Sequence, residues 1–297
     1  MRLALKTVAL VLLIAGAAWL LRPAPSGAAS PAEIELPSGD PAWRLDPLWD
    51  DGRAEYCAYQ VDWARYGNRY PGRALLILVK EPWNPDLEVK ADEPHPDGFE
   101  VLKLNHVRDV PTGIYTYHQM ASVYLRRDSG ALRKVAATSS EACGISTADL
   151  VEGRLATRSY FDGQGDRSSR YPAAALPEDG LPALLRGFVE EAPPAELSVF
   201  PSLLMGRYAD LEPAAYRVRR GEPGPVSVPA GEFEGVELRL ENRGGWLAYT
   251  FETAPPHRLL VHERGDGTLY ELARCDRLAY WSMHDPGGEE WLPEAVR

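Results

Sequence analysis

Apolar and polar residues alternate in short runs along most of this chain, and Pro, Gly, Asn and Asp close the runs. That rhythm predicts strands rather than helices. The clearest case is 113–144, which reads as a long hairpin. Its first arm, 114–126, carries Tyr115, Tyr117, Val123 and Tyr124, and its return arm covers 131–139. Between them, Arg127-Asp128-Ser129-Gly130 is turn chemistry, because Asp and Ser bond nearby backbone and Gly accepts positive φ. The return arm leads into a polar cluster, Ser139-Ser140-Glu141, with the thiol of Cys143 just beyond.

Further strands are expected over 51–63, 72–80, 87–91, 99–107 and 153–161. In 72–80 the run Ala74-Leu75-Leu76-Ile77-Leu78-Val79 is apolar at every position, which implies a central strand buried on both faces. Residues 92–98 read as an acidic loop and 163–170 as a polar Gly/Ser loop. One stretch departs from the rhythm: 178–191 places Leu181, Leu184, Leu185 and Phe188 at helical spacing. Beyond Pro193-Pro194, strands follow over 196–203, 215–219, 235–241, 246–252, 258–264, 268–272 and 278–283. Arg264-Gly265-Asp266-Gly267 is a hairpin turn within this series. The 26 prolines fall mostly between the runs, which suits short antiparallel strands rather than parallel crossovers. The expected fold is mainly β: a curved antiparallel sheet or open barrel with one short helix near 178–191. It forms either one body or two lobes, 48–192 and 193–297, preceded by a Pro/Ala-rich tether over 30–47, with Trp43, Leu48 and Trp49 the first residues expected to dock on the body.

The N-terminus has a different character. Arg2 and Lys6 precede a charge-free apolar run over 7–21, then Pro23, Pro25 and the small residues Ser26-Gly27-Ala28-Ala29. Residues 1–29 therefore read as a cleaved signal peptide or as an uncleaved membrane anchor. The run is short of the ~20 residues that span a bilayer comfortably. Either way the rest of the chain is expected in the periplasm or cell envelope, with membrane contact only through 7–21 if the segment is retained. No cysteine follows the run, so lipid attachment there is chemically excluded. Loss of this segment removes three cations and no acid, taking the net charge from −11 to −14. So acidic a body repels phosphate backbones, and nucleic acid is not an expected partner.

Cys57, Cys143 and Cys275 make no CxxC or metal spacing. In an oxidising compartment one disulfide and one spare thiol are expected, set against three isolated thiols; the pairing is not legible. The six histidines, His95, His106, His118, His257, His262 and His284, form no HxH or HExxH pair, so no metal is expected. No cofactor motif is present. Two sets of residues could carry function. Glu55, Lys103, Asn105, Tyr115 and Tyr117 would line a ligand groove if their strands were neighbours. On a packed face they would instead be an ion pair and a tyrosine ladder. Ser139, Ser140, Glu141 and Cys143 bring nucleophile types together, and a histidine such as His106 or His118 could serve as their base. No GxSxG elbow or cysteine-protease signature accompanies them.

A longer string of residues carries a resemblance. It runs through Trp49, Asp51-Gly52, Ala54-Glu55, Val79, Glu81, Leu102-Lys103-Leu104-Asn105, Thr112-Gly113-Ile114-Tyr115 and Tyr117. It continues through Ser139-Ser140-Glu141, Cys143-Gly144, Ser159-Tyr160-Phe161 and Gly165-Asp166. Much of 49–205 in this way resembles a family of uncharacterised exported bacterial proteins and lipoproteins, which implies export but no activity or ligand. Some of those relatives bear a septum-formation-inhibitor name. That name belongs to cytoplasmic nucleotide pyrophosphatases, whose N-terminal signature and α/β pattern are absent here. Pro256-His257-Arg258-Leu259-Leu260 through Tyr280-Trp281 is similar to the closing strands of another uncharacterised periplasmic β-protein family. The expected function is non-catalytic binding, in the cell envelope, of a lipid-like ligand or a partner protein. The alternative is an exported hydrolase using Ser139, Ser140 or Cys143 with a histidine.

Overall fold

The alternating runs become strands in a computed structural model that describes residues 33–294. The expected signal or anchor at 1–29 lies outside the described residues. The first meander comprises β1 (Ala54–Arg65), β2 (Asn68–Asn84), β3 (Val89–Lys90), β4 (Phe99–Thr112), β5 (Tyr115–Arg126), β6 (Leu132–Glu141), β7 (Gly144–Val151), β8 (Arg154–Arg158) and β9 (Arg167–Arg170). The second comprises β10 (Leu176–Pro177), β11 (Glu196–Phe200), β12 (Ala214–Arg220), β13 (Gly224–Val228), β14 (Gly231–Asn242), β15 (Gly245–Glu252), β16 (Leu259–Arg264) and β17 (Leu269–Leu278). All belong to one sheet, antiparallel except for the β10–β11 pair.

Pairing runs outward in both directions from β1. On one side lie β2, β4, β5, β6, β7, β8 and β9 in order, with β3 appended to β2. On the other side β17 pairs with β1, followed by β16, β15, β14, β12, β11 and β10, with β13 on β14. The ends at β9 and β10 do not pair, so the sheet stays open. Residues from Glu33 onward form one compact unit, and the sheet continues past Pro193-Pro194 without a division into lobes.

The sheet has two apolar faces of unequal size. Leu76, Leu78, Leu102, Leu104, Val123, Leu238, Tyr249 and Leu272 belong to the main core on the inner face. Ile77 and Val79, the alternate residues of the same apolar run, form a small outer cluster with Ala54, Tyr56 and Tyr280. Burial on both faces is what the uninterrupted run implied. The helical stretch comprises a 3-10 turn (Glu178–Gly180), then α2 (Leu181–Leu184), then a second 3-10 turn (Leu185–Phe188), all packed into the core.

Three expectations need correction, and β7 adds a strand where none is expected. Residues 167–170 form β9 rather than loop; all four are exposed, so an edge strand wet on both faces carries no alternation to detect. Residues 144–151 form β7, whose Ser146, Ala148 and Leu150 point inward but include few strand formers. The strand expected over 278–283 ends at Leu278, and Tyr280–Ser282 is a 3-10 turn. The expected tether is docked from Glu33 onward: Ile34 bridges Leu132, and Trp43 of α1 (Ala42–Leu45) is buried. Docking thus begins ahead of Trp43, and Arg44 adds hydrogen bonds to the Arg127 and Asp128 carbonyls. No helix among the described residues is long and apolar enough to cross a membrane.

The seam between the meanders is cross-linked. Cys57 and Cys275 face each other in the β1–β17 register with Cα atoms 4.0 Å apart and form a disulfide, leaving Cys143 free and exposed. Beside it, Glu55 receives both Arg186 terminal nitrogens, at 2.6 and 3.2 Å, with both side chains buried. The bridge closes a loop spanning 218 positions, and chain-entropy arguments assign such loops about 5 kcal/mol. Replacing both Cys57 and Cys275 by Ala should therefore lower the thermal midpoint by roughly 10 °C or more. Calorimetry of oxidised, reduced and substituted protein checks this; a midpoint indifferent to all three would remove the seam from the account of stability.

Candidate functional site

The structure separates the residues of the expected groove. Glu55 is committed to Arg186, which also donates to the carbonyls of Pro182 and Pro256. Lys103 lies on the outer face and pairs with Glu81 at 2.7 Å, while Asn105 beside it accepts from Ser122. Tyr115 and Tyr117 are on β5 but point to the inner face. Alternation does keep Lys103 with Asn105 and Tyr115 with Tyr117, yet the two pairs occupy opposite sides of one sheet. No single groove contains all five.

The second set divides in the same way. Ser139 points inward and accepts from Gln119 Nε2 at 2.9 Å, while Ser140 points outward and donates to the His118 backbone carbonyl at 3.4 Å. Cys143 lies in the β6–β7 turn, where its amide donates to Glu141 at 2.6 Å. The Glu141 carboxylate holds the thiol above its ordinary pKa, opposite to what an activated nucleophile requires. His118 Nδ1 meets Asp109 at 2.8 Å on the outer face, and Arg73 closes on the other Asp109 oxygen. Among the described residues no hydrogen bond joins a histidine ring to Ser139, Ser140 or Cys143. Glu55, Cys57 and Cys275 also lie close together, but the two sulfurs are joined to each other.

What the fold does bring together is an aromatic and arginine-rich end. The turns after β1, β4 and β6 and the loop after β8 all fall at the same end of the sheet, because successive antiparallel strands reverse there. The Tyr66 hydroxyl meets that of Tyr117 at 2.5 Å, and the Trp63 ring contacts the Tyr117 ring edge-on. Arg65 lies over the rings of Trp63, Tyr66 and Tyr117, its Cζ at 5.3, 4.8 and 5.8 Å from their centroids. Across the β6–β7 turn, Tyr160 donates to Glu141 at 2.5 Å, and Arg207 stacks on Phe161. The turn tips carry exposed apolar groups: Ile114 is fully exposed, as in an extended chain, and Tyr66, Ile145 and Tyr160 are also exposed.

A niche of about 20 Å³ opens among these residues, lined by Arg65, Tyr117, Ser139, Glu141, Ser146, Tyr160, Phe161 and Met205 to Arg207. Gly206, at φ 65°, closes its floor: a Cβ there would come within 2.5 Å of the Ser139 side chain. Only glycine permits so close an approach in that conformation. Ser146 is buried, and its Oγ has no hydrogen-bond partner; the same holds for Arg65 Nε. Sequence reasoning found Tyr115, Tyr117, Ser139, Glu141 and Cys143 but missed Trp63, Arg65, Tyr66 and Ser146. The string Trp63-Ala64-Arg65-Tyr66-Gly67, aromatic and basic residues at a glycine turn, was the available signal.

Behind the niche a polar chain runs into the core. Ser139 is bonded to Gln119, Gln119 accepts Arg108 Nε at 2.9 Å, and Arg108 Nη1 donates to the Tyr270 hydroxyl at 3.0 Å. Arg108 is buried and lies over the Trp63 ring, 4.6 Å from its centroid. A cavity of about 50 Å³ adjoins it, lined among others by His106, Asp179, Tyr249 and His262. Room for a few waters at most rules out a lipid-sized chamber here. Burial pushes Asp179 up to about 6 despite bonds from Ser202 Oγ and the Leu203 amide. Burial and the positive charge of Arg264 press His262 down to about 3, and burial and Arg108 likewise lower His106.

These shifts act on stability in opposite directions. His262 titrates lower in the fold than unfolded, so its contribution is present above pH 6.5 and is lost as pH falls toward 3. Asp179 titrates higher in the fold, so its contribution is present below pH ~4 and is lost as pH rises through 6. Between pH 6.5 and 4.5, His262→Gln should lose less stability than wild type, by about 2–3 kcal/mol. Urea titrations across that window check it, and parallel curves would refute the buried neutral imidazole. Comparison with described protein families finds no match, and no curated protein matches, so the resemblance across 49–205 carries no family assignment. Among solved structures the chain is similar to one described as a beta-barrel-like protein of domain of unknown function DUF1849 from Brucella abortus. The TM-score is 0.46 at 10% identity, over 76% of this chain and 98% of that one.

Proposed function

We propose that this protein is a non-catalytic binding protein of the cell envelope, and that its ligand or partner engages the turn-bearing end of the sheet. The observation that carries the reading is the exposure of Tyr66, Ile114, Ile145 and Tyr160 on neighbouring turns at that one end. Apolar tips held out by rigid hairpins gain by contact with another surface, because their burial removes apolar area from water. Aromatic residues and arginine are also the types enriched at binding hot spots. The packed interior argues against an enclosed lipid carrier. The Cys57–Cys275 disulfide is compatible with an oxidising compartment, in line with the export expected from residues 1–29. The raised pKa of Cys143, and the lack among the described residues of a hydrogen bond from a histidine ring to it, favour binding over hydrolysis.

Cys143 supplies the means to test this, since it is a free exposed thiol at the same end. Full-length protein labelled there with a benzophenone maleimide should, on illumination in its own envelope, give a defined adduct. The adduct should disappear in a Tyr66→Ser/Ile114→Ser variant. Label placed instead at Ser129→Cys, in a Cys143→Ser background, reports the opposite end and should give none. Adducts of equal yield from both ends, or one indifferent to the double substitution, would overturn the assignment of the binding end.

A further inference from the structure

We infer that the niche beneath the turns is an anion-recognition site, taking a carboxylate or phosphate group whose apolar or aromatic flank lies on the exposed rim. The inference rests on the binding role proposed for this end and adds the chemical class of what binds. Its first support is charge. Arg65 and Arg207 border the niche, and among the described residues neither forms an ion pair. Both guanidinium groups lie over rings, Arg65 over three and Arg207 over Phe161, which positions the two cations beside the niche without neutralising them. Glu141 is the single carboxylate in the lining, and its oxygens are already taken by the Tyr160 hydroxyl and the Cys143 amide. The lining therefore carries a net positive charge.

The second support is independent of charge. Ser146 Oγ, on a residue only 2% exposed, has no hydrogen-bond partner, and Arg65 Nε is likewise buried and unpartnered. Leaving such groups without partners is unfavourable, and an acceptor entering the niche would offset that cost. Size sets the class of ligand. About 20 Å³ admits a water or the oxygens of a carboxylate or phosphate, not a whole molecule. The remainder of the ligand must then lie outside, where Tyr66 and Tyr160 are exposed. Arg108, one step behind through Gln119 and Ser139, adds a buried positive charge with only neutral hydrogen-bond partners. Charge-assisted bonds to guanidinium are about twice as strong as neutral ones, so most discrimination should come from the anionic group.

Titration of the full-length protein with small soluble probes tests this: N-acetylphenylalanine, its uncharged amide, phenyl phosphate and inorganic phosphate, followed by Trp fluorescence and by NMR. At least one of the two aromatic anions should bind saturably, and the amide at least tenfold more weakly than the tighter of them. Whichever of the carboxylate and phenyl phosphate binds tighter identifies the head group. Arg65→Gln/Arg207→Gln should weaken the anions tenfold or more, whereas Arg239→Gln, on the remote β14, should leave them unchanged. Amide binding as tight as that of the tighter aromatic anion, no saturation by either aromatic anion up to 50 mM, or an unaffected double variant that remains folded by circular dichroism would each overturn the inference. Cross-linking from Cys143 separates the two readings: an adduct that survives in the double variant retains the binding end while removing the anion.

Discussion

Pairing of β1 with β17 is the contact on which the rest of this structure depends. Two long meanders, each built from local hairpins, would otherwise be separate sheets with apolar faces only partly covered. The register Ala54↔Leu278 through Asp62↔Leu269 turns them into one surface, and the Cys57–Cys275 bridge locks that register. Arg277 secures the far end of the seam by bonding Asp51 and the Leu48 and Arg53 carbonyls while lying over Trp49. Glu55–Arg186 then ties the helical turns to the same strand. Removing either partner of such a buried pair would strand a charge in the core, at a cost of about 3–5 kcal/mol.

Because β1 occupies the middle of the sheet, its inward residues meet both halves. Glu55, Cys57, Tyr59, Val61 and Trp63 form a row along the inner face. Tyr59 donates to the Leu259 carbonyl in the second meander, and Trp63 contacts Tyr117 and Arg108 in the first. That row leads directly to the turn-bearing end, where Arg65 and Tyr66 emerge. The proposed binding end is therefore the exposed terminus of the most constrained strand in the molecule. A site built on such a strand is held in place by the core rather than by loop conformation.

The β9 edge of the open sheet is guarded in a way that is consistent with recognition at the end rather than along that edge. β9 is short and presents Arg167, Ser168, Ser169 and Arg170, with Arg154 opposite Arg170. Charges of this kind discourage strand addition from another chain. The turns at the other end carry no such protection and display Ile114 and Ile145 instead.

Much of this fold could be read from the chain by itself. Period-two alternation marked most strands, the unbroken apolar run of residues 74–79 marked a strand buried on both faces, and helical spacing marked the turns around Leu181. These are local properties, set by which face of each residue meets water. β9 escaped because neither face is buried, and docking ahead of Trp43 escaped because Ile34 alone makes no pattern. Chemistry was less legible than fold. Tyr115, Tyr117, Ser139 and Glu141 were identifiable by type, but alternation cannot say which face of one strand matches which face of another. Only the sheet register decided that Lys103 and Asn105 lie opposite the tyrosines, that Glu55 answers Arg186 131 positions away, and that Cys57 pairs with Cys275. Register is fixed by the sum of all cross-strand contacts, so no short stretch of sequence contains it.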